Sequence, residues 1–288
     1  MIIRKLAVIG VGLIGGSLAR ALRTAGQVGE IVGCGRGREN LEKAVELGVI
    51  DSFTHDIGEA VEGADMVFLA VPLGAMRDAF EAMKGHLVED AIITDGGSVK
   101  GSVIADCEAV FGKVLPGFVP GHPIAGTEKN GVEASFAELY QNRRVILTPV
   151  SETNESAIAR VQAMWRDCGA EINLMPPVDH DRVLAATSHL PHMLAFALVD
   201  MLSRVDYEED IFKYAAGGFR DFTRIASSNP IMWRDICVAN KDAVATLVES
   251  YADEMTQLAK AIRDDDIDTL TKMFTNAKKH RDAFIDGI

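Results

Sequence analysis

The feature that most constrains the fold of this chain is the stretch "VIGVGLIGG" near its start, which places Gly10, Gly12 and Gly15 in the spacing G-x-G-x-x-G. The stretch follows a short β-rich run and opens a helical pattern, the context in which this motif binds a dinucleotide. There the first glycine permits a tight turn, the second lets a pyrophosphate approach the backbone, and the third lets the helix pack closely on the strand. The sequence therefore predicts a dinucleotide site close to the amino end.

Short β-rich runs alternate with helical patterns over the first part of the chain, beginning with "KLAVIG", "IGGSLARALRTAG", "EIVGCG" and "RENLEKAVELG". Such alternation is typical of βαβ units on a parallel sheet. After Pro176 and Pro177 the apolar residues instead recur at spacings of three and four, with no convincing β-rich run. We therefore expect an α/β Rossmann-type domain over residues 1–176, followed by an all-α domain over residues 177–288.

One long helix of the second part carries a stripe of apolar residues along a single face. The bland interpretation of such a stripe is a core face, and we favour it over a dedicated ligand surface. The stripe consists of Val244, Leu247, Val248, Tyr251, Met255, Leu258 and Ile262.

Composition narrows the classes of partner. The chain has 288 residues and a net charge of -13, from 29 Lys and Arg against 42 Asp and Glu, so phosphate backbones and anionic membranes would repel it. We expect no nucleic-acid partner, no membrane partner and no membrane span. The four cysteines lie far apart without a C-x-x-C pair, which argues against a zinc site or a disulfide framework. The chain is expected to be cytoplasmic, with reduced cysteines.

The end of the second strand bears on the choice of cofactor. NAD enzymes carry an acid there for the adenosine ribose, but this sequence reads "GCGRGREN", with Gly35 at the acidic position and Arg36 after it. Arg36 can pair with a 2'-phosphate, so the sequence favours NADP, with NAD possible. The predicted cofactor-binding residues are Gly10, Gly12, Leu13, Ile14, Gly15, Arg36, Val71 and Pro72.

Further stretches carry residues capable of chemistry. "TDGGSVKG" puts Ser98 and Lys100 after a strand, "GHPIAGTEKNG" follows another strand, and "ATSHLPH" and "GGFRDFTRIASSNPIMWRDI" lie in the helical part. Lys100 is only a minor candidate, because a surface ion pair explains it equally well. Together these stretches resemble the prephenate and arogenate dehydrogenases of tyrosine biosynthesis, over nearly the whole chain.

The resemblance implies a Rossmann-type domain followed by an all-α domain through which such enzymes form homodimers. It also implies oxidative decarboxylation of prephenate to 4-hydroxyphenylpyruvate, or of arogenate to tyrosine. His122 matches the family's catalytic histidine, and Ser98 matches the serine near the substrate hydroxyl. The matches to substrate-binding positions are His192, Arg224, Glu128, Gly217 and Trp233.

The chemistry accounts for these residue types independently. Oxidation of a ring C–OH needs a proton acceptor, and a neutral imidazole suits that task near neutral pH. The planar fork of Arg224 suits a substrate carboxylate, and no metal is needed because the ring becomes aromatic as carbon dioxide leaves. Gly121 and Pro123 are expected to hold a rigid loop that points His122 at the nicotinamide.

Two alternatives remain open. A β-hydroxyacid dehydrogenase has a similar plan with a lysine as proton acceptor, for which Lys241 and Lys260 are available. A non-catalytic dinucleotide-sensing protein would keep the fold without the chemistry. Since the chain begins at the first predicted strand and stops at Ile288, we expect any feedback by tyrosine to act at the active site itself.

Overall fold

The computed structural model describes residues 3–127, 129–205 and 211–286. The chain divides into two compact units, Met1–Lys241 and Asp242–Ile288. The first unit contains both β-sheets and every predicted site residue that the structure describes.

The first sheet has six parallel strands in the order β3-β2-β1-β4-β5-β6. Ligands of such sheets bind at the carboxyl ends of the strands where the order reverses, which here lies between β1 and β4. The strands are β1 (Ile3–Ile9), β2 (Val28–Cys34), β3 (Ser52–Thr54), β4 (Met66–Leu69), β5 (Ile92–Asp95) and β6 (Phe118–Val119).

Five helices connect these strands, and apolar side chains alternate between the two faces of the sheet. On β1, Leu6 and Val8 belong to one buried cluster, while Ala7 and Ile9 belong to another. A sheet covered on both faces is what the alternating pattern predicts. The helices are α1 (Leu13–Thr24), α2 (Arg38–Glu46), α3 (Ile57–Val61), α4 (Met76–Met83) and α5 (Lys100–Phe111).

A second, three-stranded sheet carries His122. Its strands are β7 (Gly121–Pro123), β8 (Arg144–Leu147) and β9 (Glu171–Leu174), with α6 (Glu155–Asp167) between the last two. In β7, which runs antiparallel to β8, His122 lies opposite Ile146. The expectation that Gly121 and Pro123 form a loop is therefore wrong, because β8 offers their backbone a pairing partner.

From Pro177 onward the described residues contain helices and turns but no strand, which confirms the α/β domain followed by an all-α domain. A π-helical turn over Ala185–His189 joins the first two helices of this part without a break. The helices are α7 (Pro177–Leu184), α8 (Leu190–Ser203), α9 (Gly217–Thr223), α10 (Pro230–Ala239), α11 (Lys241–Arg263) and α12 (Ile267–Asp286). The boundary after residue 176 stays a prediction.

The apolar stripe on α11 is mostly exposed. Val244 is buried, but Val248 is 38% exposed, Tyr251 39%, Met255 44% and Ile262 57%. For these four residues the core-face interpretation is wrong within a single chain, because helical spacing identifies a shared face without showing what covers it.

The helical run Pro177–Ser203 qualifies as a candidate membrane span by length and composition alone. A single such helix carries little weight, since the core helix of a folded domain passes the same test. His180 and His189 within it are buried and hydrogen-bonded to groups elsewhere in the fold. These hydrogen bonds tie the run to His122 and to Asn240 in the same compact unit.

Candidate active site

The backbone of the glycine-rich loop is open to a ligand at Gly12, whereas at Gly10 and Gly15 it packs directly against other backbone atoms. Gly10 has φ +100°, and a Cβ there would lie 2.4 Å from the carbonyl oxygen of Ala70. A Cβ on Gly15 would lie 2.1 Å from the carbonyl oxygen of Gly10, whereas one on Gly12 would meet nothing within 4 Å. The loop therefore fits a pyrophosphate that approaches the open backbone at Gly12 and the start of α1.

A cavity of about 390 Å³ lies beside this loop, lined by Gly10, Gly12, Gly35 and Arg36 among others. Arg36 is exposed at the end of β2 and forms no ion pair with any described residue. This is the end of the crevice at which an adenosine ribose is bound in Rossmann-type domains.

The other predicted cofactor residues lie at the start of α1 and just after β4. Leu13 and Ile14 open α1, and the Tyr140 hydroxyl donates a hydrogen bond of 2.7 Å to the carbonyl of Ile14. Val71 and Pro72 follow the end of β4, next to the strand that precedes the glycine loop.

Two fully buried charged residues hold the strand that carries His122. Lys100 Nζ donates to the Asp95 carboxylate and, at 2.6 Å, to the carbonyl of Gly121. The other Asp95 oxygen accepts the N–H of Gly121 at 3.0 Å. Burial lowers the pKa of Lys100, although Asp95 opposes that shift. Lys100 is therefore not part of a surface ion pair. Lys100 and Asp95 together form a clamp that binds both the carbonyl and the N–H of Gly121, the residue before His122.

His122 begins a chain of hydrogen bonds. Its Nδ1 lies 2.9 Å from His180 Nε2, and His180 Nδ1 lies 2.7 Å from Asp181 Oδ1. Asp181 also accepts the N–H groups of Lys100 and Gly101, both at 2.8 Å. Burial opposes ionisation of Asp181, but the hydrogen bonds from His180 and the two amides outweigh burial and lower its pKa.

The imidazole of His122 is held neutral. Burial lowers its pKa well below the usual value, and His180, Lys100 and His189 lower it further. A neutral ring whose Nδ1 is already hydrogen-bonded leaves Nε2 for a ligand.

Ser98 lies in the turn between β5 and α5, close to both anchors of the clamp. Its hydroxyl makes no hydrogen bond within the described residues, and Nδ1 of His122 is occupied by His180. At the neighbouring Gly96, a Cβ would lie 3.3 Å from Ile14 Cγ2 and 3.7 Å from Pro123 Cδ. The cofactor loop and the strand of His122 thus meet beside this turn.

His192 and Trp233 form a stacked pair on the helical side. The two rings are 3.6 Å apart between centroids and inclined by 22°, and His192 Nδ1 lies 2.8 Å from the carbonyl of Ser188. Burial lowers the pKa of His192 against the hydrogen bond to Ser188, and Arg224 lowers it further. Trp233 is 6% exposed, and its Nε1 has no partner in the described chain.

The remaining substrate candidates lie at the surface. Arg224 directly follows α9 and is exposed, and Gly217 begins α9 with open space where a Cβ would lie. Glu128 lies outside the described residues. The structure thus brings His122 close to the Ser98 turn and pairs His192 with Trp233, while Arg224 and Gly217 lie exposed.

Sequence reasoning missed His180 and Asp181, and it treated His189 as structural. His180 and Leu184 are both buried and four residues apart on α7, so a histidine on an apolar helix face was the available signal. His189 is 1% exposed, and its Nδ1 lies 3.3 Å from Asn240 Nδ2. Burial lowers the pKa of His189 to about 4.

Comparison with known families gives two matches that together cover most of the chain. The family model described as "Prephenate dehydrogenase, nucleotide-binding domain" matches residues 18–174. The one described as "Prephenate dehydrogenase, dimerization domain" matches residues 176–276.

Individual relatives agree with these matches. A cyclohexadienyl dehydrogenase of Zymomonas mobilis is 40% identical over 282 residues, which cover 97% of this chain and 96% of the relative. The crystal structure of prephenate dehydrogenase from Aquifex aeolicus with hydroxyphenyl propionate and NAD+ is 41% identical, with a TM-score of 0.91 and 98% of each chain covered. Synechocystis arogenate dehydrogenase is 31% identical, with a TM-score of 0.80, 97% of this chain and 99% of that chain covered.

Proposed function

The chain belongs to the prephenate dehydrogenase family, and from that premise we propose that it oxidises and decarboxylates prephenate, arogenate or both, in tyrosine biosynthesis. The observation that carries this proposal is similarity over almost the full length of this chain and of the Zymomonas mobilis and Aquifex aeolicus relatives. The products are 4-hydroxyphenylpyruvate from prephenate and tyrosine from arogenate. Neither a β-hydroxyacid dehydrogenase nor a dinucleotide sensor is favoured by these relatives.

His122 is the proton acceptor of this reaction. A nicotinamide dinucleotide supplies the hydride acceptor when it is bound in the crevice beside the glycine loop. Nε2 of His122 takes the proton of the ring hydroxyl as the carbon that bears it loses hydride. The electrons of the bond to the ring carboxylate then pass through the ring to the new carbonyl oxygen as carbon dioxide leaves. The ring becomes aromatic, and this oxygen takes back the proton held on Nε2 of His122 to give the phenol. No metal is needed for these steps, because formation of the aromatic ring drives the loss of carbon dioxide.

Ser98 positions the substrate hydroxyl in this proposal. Its own hydroxyl makes no hydrogen bond to described residues, and it lies in the turn beside which the cofactor loop and β7 meet. A hydrogen bond from Ser98 would orient the ring carbon toward the nicotinamide.

Arg224 and His192 bind the anionic part of the substrate in this proposal. An arginine fork matches a carboxylate bidentately, and Arg224 lies close enough to His192 to lower its pKa. Trp233 supports His192 by stacking. Gly217 and Glu128 remain proposed substrate-binding residues by family resemblance.

The cofactor is a nicotinamide dinucleotide, and we propose NADP over NAD. Gly35 at the end of β2 presents no carboxylate to repel a 2'-phosphate, and Arg36 beside it is exposed. Arg36→Ala should raise KM for NADP+ and leave KM for NAD+ nearly unchanged. A wild-type preference for NAD+ would reject the proposal.

The assembly and location are proposals as well. We propose a homodimer formed through the helical domain over 177–288, with residues 1–176 as the nucleotide-binding domain. The exposed apolar stripe on α11 and the match to a dimerization domain support it. Light scattering coupled to gel filtration tests it, and a monomer at micromolar concentration would reject it. Free Cys34, Cys107, Cys168 and Cys237 are consistent with a cytoplasmic location.

Four parallel assays test the function itself. The purified protein is given prephenate or arogenate, each with NAD+ or NADP+, and formation of the reduced nicotinamide is followed by its absorbance. Turnover of at least one pair is expected, and the ratio of kcat/KM values identifies the preferred substrate and cofactor. Dinucleotide binding without turnover of either substrate would instead favour a sensing protein.

A further inference from the structure

The carboxylate of Asp181 acts only as a hydrogen-bond acceptor. Its two oxygens accept the N–H groups of Lys100 and Gly101 at the first turn of α5. The residue that precedes α5, Val99, has no side chain able to cap the helix, so Asp181 of α7 serves as the cap. Backbone amides can only donate, and the positive end of the helix favours an anion. Asp181 is therefore an acceptor toward every neighbour, including His180.

Because Asp181 only accepts, it determines which nitrogen of His180, and then of His122, carries a proton. Because Asp181 Oδ1 accepts at 2.7 Å, His180 Nδ1 carries a proton, and its Nε2 in the neutral ring carries the lone pair. The contact of 2.9 Å between His180 Nε2 and His122 Nδ1 then requires a proton on His122 Nδ1. Nε2 of His122 is thereby the nitrogen with the free lone pair.

Burial excludes other hydrogen-bond partners for the ring nitrogens that link His122, His180 and Asp181. The side chain of His180 is fully buried, so water does not compete for either ring nitrogen. The other charged or titratable groups that act on His122 are Lys100 and His189. The ammonium of Lys100 is taken up by Asp95 and Gly121, and His189 Nδ1 accepts from Asn240, whose amide nitrogen also donates to the carbonyl of Asp181.

We infer that His180 and Asp181 are positioning residues, which hold His122 in the tautomer with its lone pair on Nε2 and stabilise the imidazolium that forms there. When Nε2 accepts a proton, Nδ1 keeps its own and donates it to His180, which in turn donates to the anionic Asp181. His122 therefore accepts the new proton at Nε2 while the Nδ1 protons of His122 and His180 stay in place. The kinetic consequence rests on the proposed function, whereas the tautomer does not.

Asp181→Asn is the variant that most directly disrupts the hydrogen bonds from Asp181 through His180 to His122. An amide has a single acceptor oxygen, but Asp181 serves three donors. In either orientation the new NH₂ group faces a donor, and when it faces His180 it reverses the tautomer of both rings. By analogy with carboxylates that orient a catalytic histidine, kcat should fall by on the order of 10²–10³, with KM changed much less.

The matched control is Asp179→Asn on the same helix. The side chain of Asp179 is 45% exposed and pairs with Arg182 at 2.9 Å, so the variant should keep the wild-type kcat. A second variant, His180→Ala, leaves an imidazole-sized space next to His122 Nδ1. Added imidazole should restore part of its kcat, which a purely structural loss would not allow. Thermal melting of each variant reports whether it folds.

The tautomer itself is read without turnover. Nitrogen-15 NMR of histidine side chains in the ligand-free protein, with His122 assigned by comparison with His122→Asn, should show a protonated Nδ1 and an unprotonated Nε2. Asp181→Asn should reverse or mix this assignment. A wild-type proton on His122 Nε2, or wild-type kcat in a folded Asp181→Asn, would overturn the inference. Absence of wild-type turnover on both substrates would instead reject the proposed function and leave the NMR test intact.

Discussion

The two sides of the candidate site are built very differently. On the His122 side, one strand is clamped by the buried pair of Lys100 and Asp95, and the ring is hydrogen-bonded to His180. In the helical part, Arg224 is exposed and makes no ion pair with a described residue. The difference indicates that the proposed proton acceptor is held in place before substrate arrives, whereas the proposed carboxylate-binding side is completed by substrate or by the proposed second chain.

The strongest test of this comparison removes the proposed proton acceptor. His122→Asn should lower kcat by on the order of 10²–10⁴, with KM nearly unchanged, because a general base acts in the transition state. Steady-state kinetics with the preferred substrate provides the measurement. An active His122→Asn enzyme would mean that the rigid side of the site is not where the proton goes.

Removing the clamp should cost stability. Lys100→Met leaves the Asp95 carboxylate buried without its counter-charge, and we expect the free energy of unfolding to fall by about 3–5 kcal/mol. Lys43→Met is the control, since Lys43 forms a partly exposed pair with Glu46 and should change stability by about 0.5 kcal/mol or less. Chemical denaturation measures both, and equal losses would show that the clamp is not special.

On the exposed side, Arg224→Ala should act through binding. Loss of a charge-assisted hydrogen bond to a carboxylate should raise KM by about tenfold or more, with a much smaller effect on kcat. Arg204→Ala offers a control, since Arg204 pairs with Asp200 on α8 and should behave as wild type. Saturation curves that coincide for Arg224→Ala and wild type would remove Arg224 from the site.

The smallest expected effect concerns the cost of keeping a buried histidine neutral. The pKa of His189 falls from 6.5 to about 4 on folding because of burial. The unfolded chain therefore binds more protons within this window, and the free energy of unfolding should fall as the pH is lowered from about 6.5 to about 4. His189→Gln should show a flatter dependence in urea denaturation at pH 7 and pH 5. Equal slopes would show that His189 is not held neutral.

The sequence was sufficient for the architecture. The glycine spacing after a strand and the change of periodicity at Pro176 and Pro177 are local patterns, and the six-stranded parallel sheet and the helical second part confirm what they predict. The family resemblance carried by motifs such as "GHPIAGTE" is likewise confirmed by the family models. The individual site residues stay predictions.

What the sequence could not supply depends on contacts between distant segments. His122 and His180 are 58 residues apart, and no local pattern joins them. From the sequence, Lys100 was only a minor candidate for the site, equally well explained by a surface ion pair. Periodicity does not reveal that a charged residue is fully buried against a carboxylate. The stripe on α11 had the spacing of a core face, but spacing does not distinguish a core from a surface covered by another chain.

The carboxylate of Asp181 belongs to the helical part of the chain, yet it caps a helix of the nucleotide-binding part and is hydrogen-bonded to His180, which contacts His122 there. The two parts are therefore not interchangeable modules. A hybrid that joins residues 1–176 to the helical part of another dehydrogenase would keep the glycine loop and could still bind the dinucleotide. We expect it to remain inert unless the donor also supplies a histidine and an acid at the positions of His180 and Asp181 in α7.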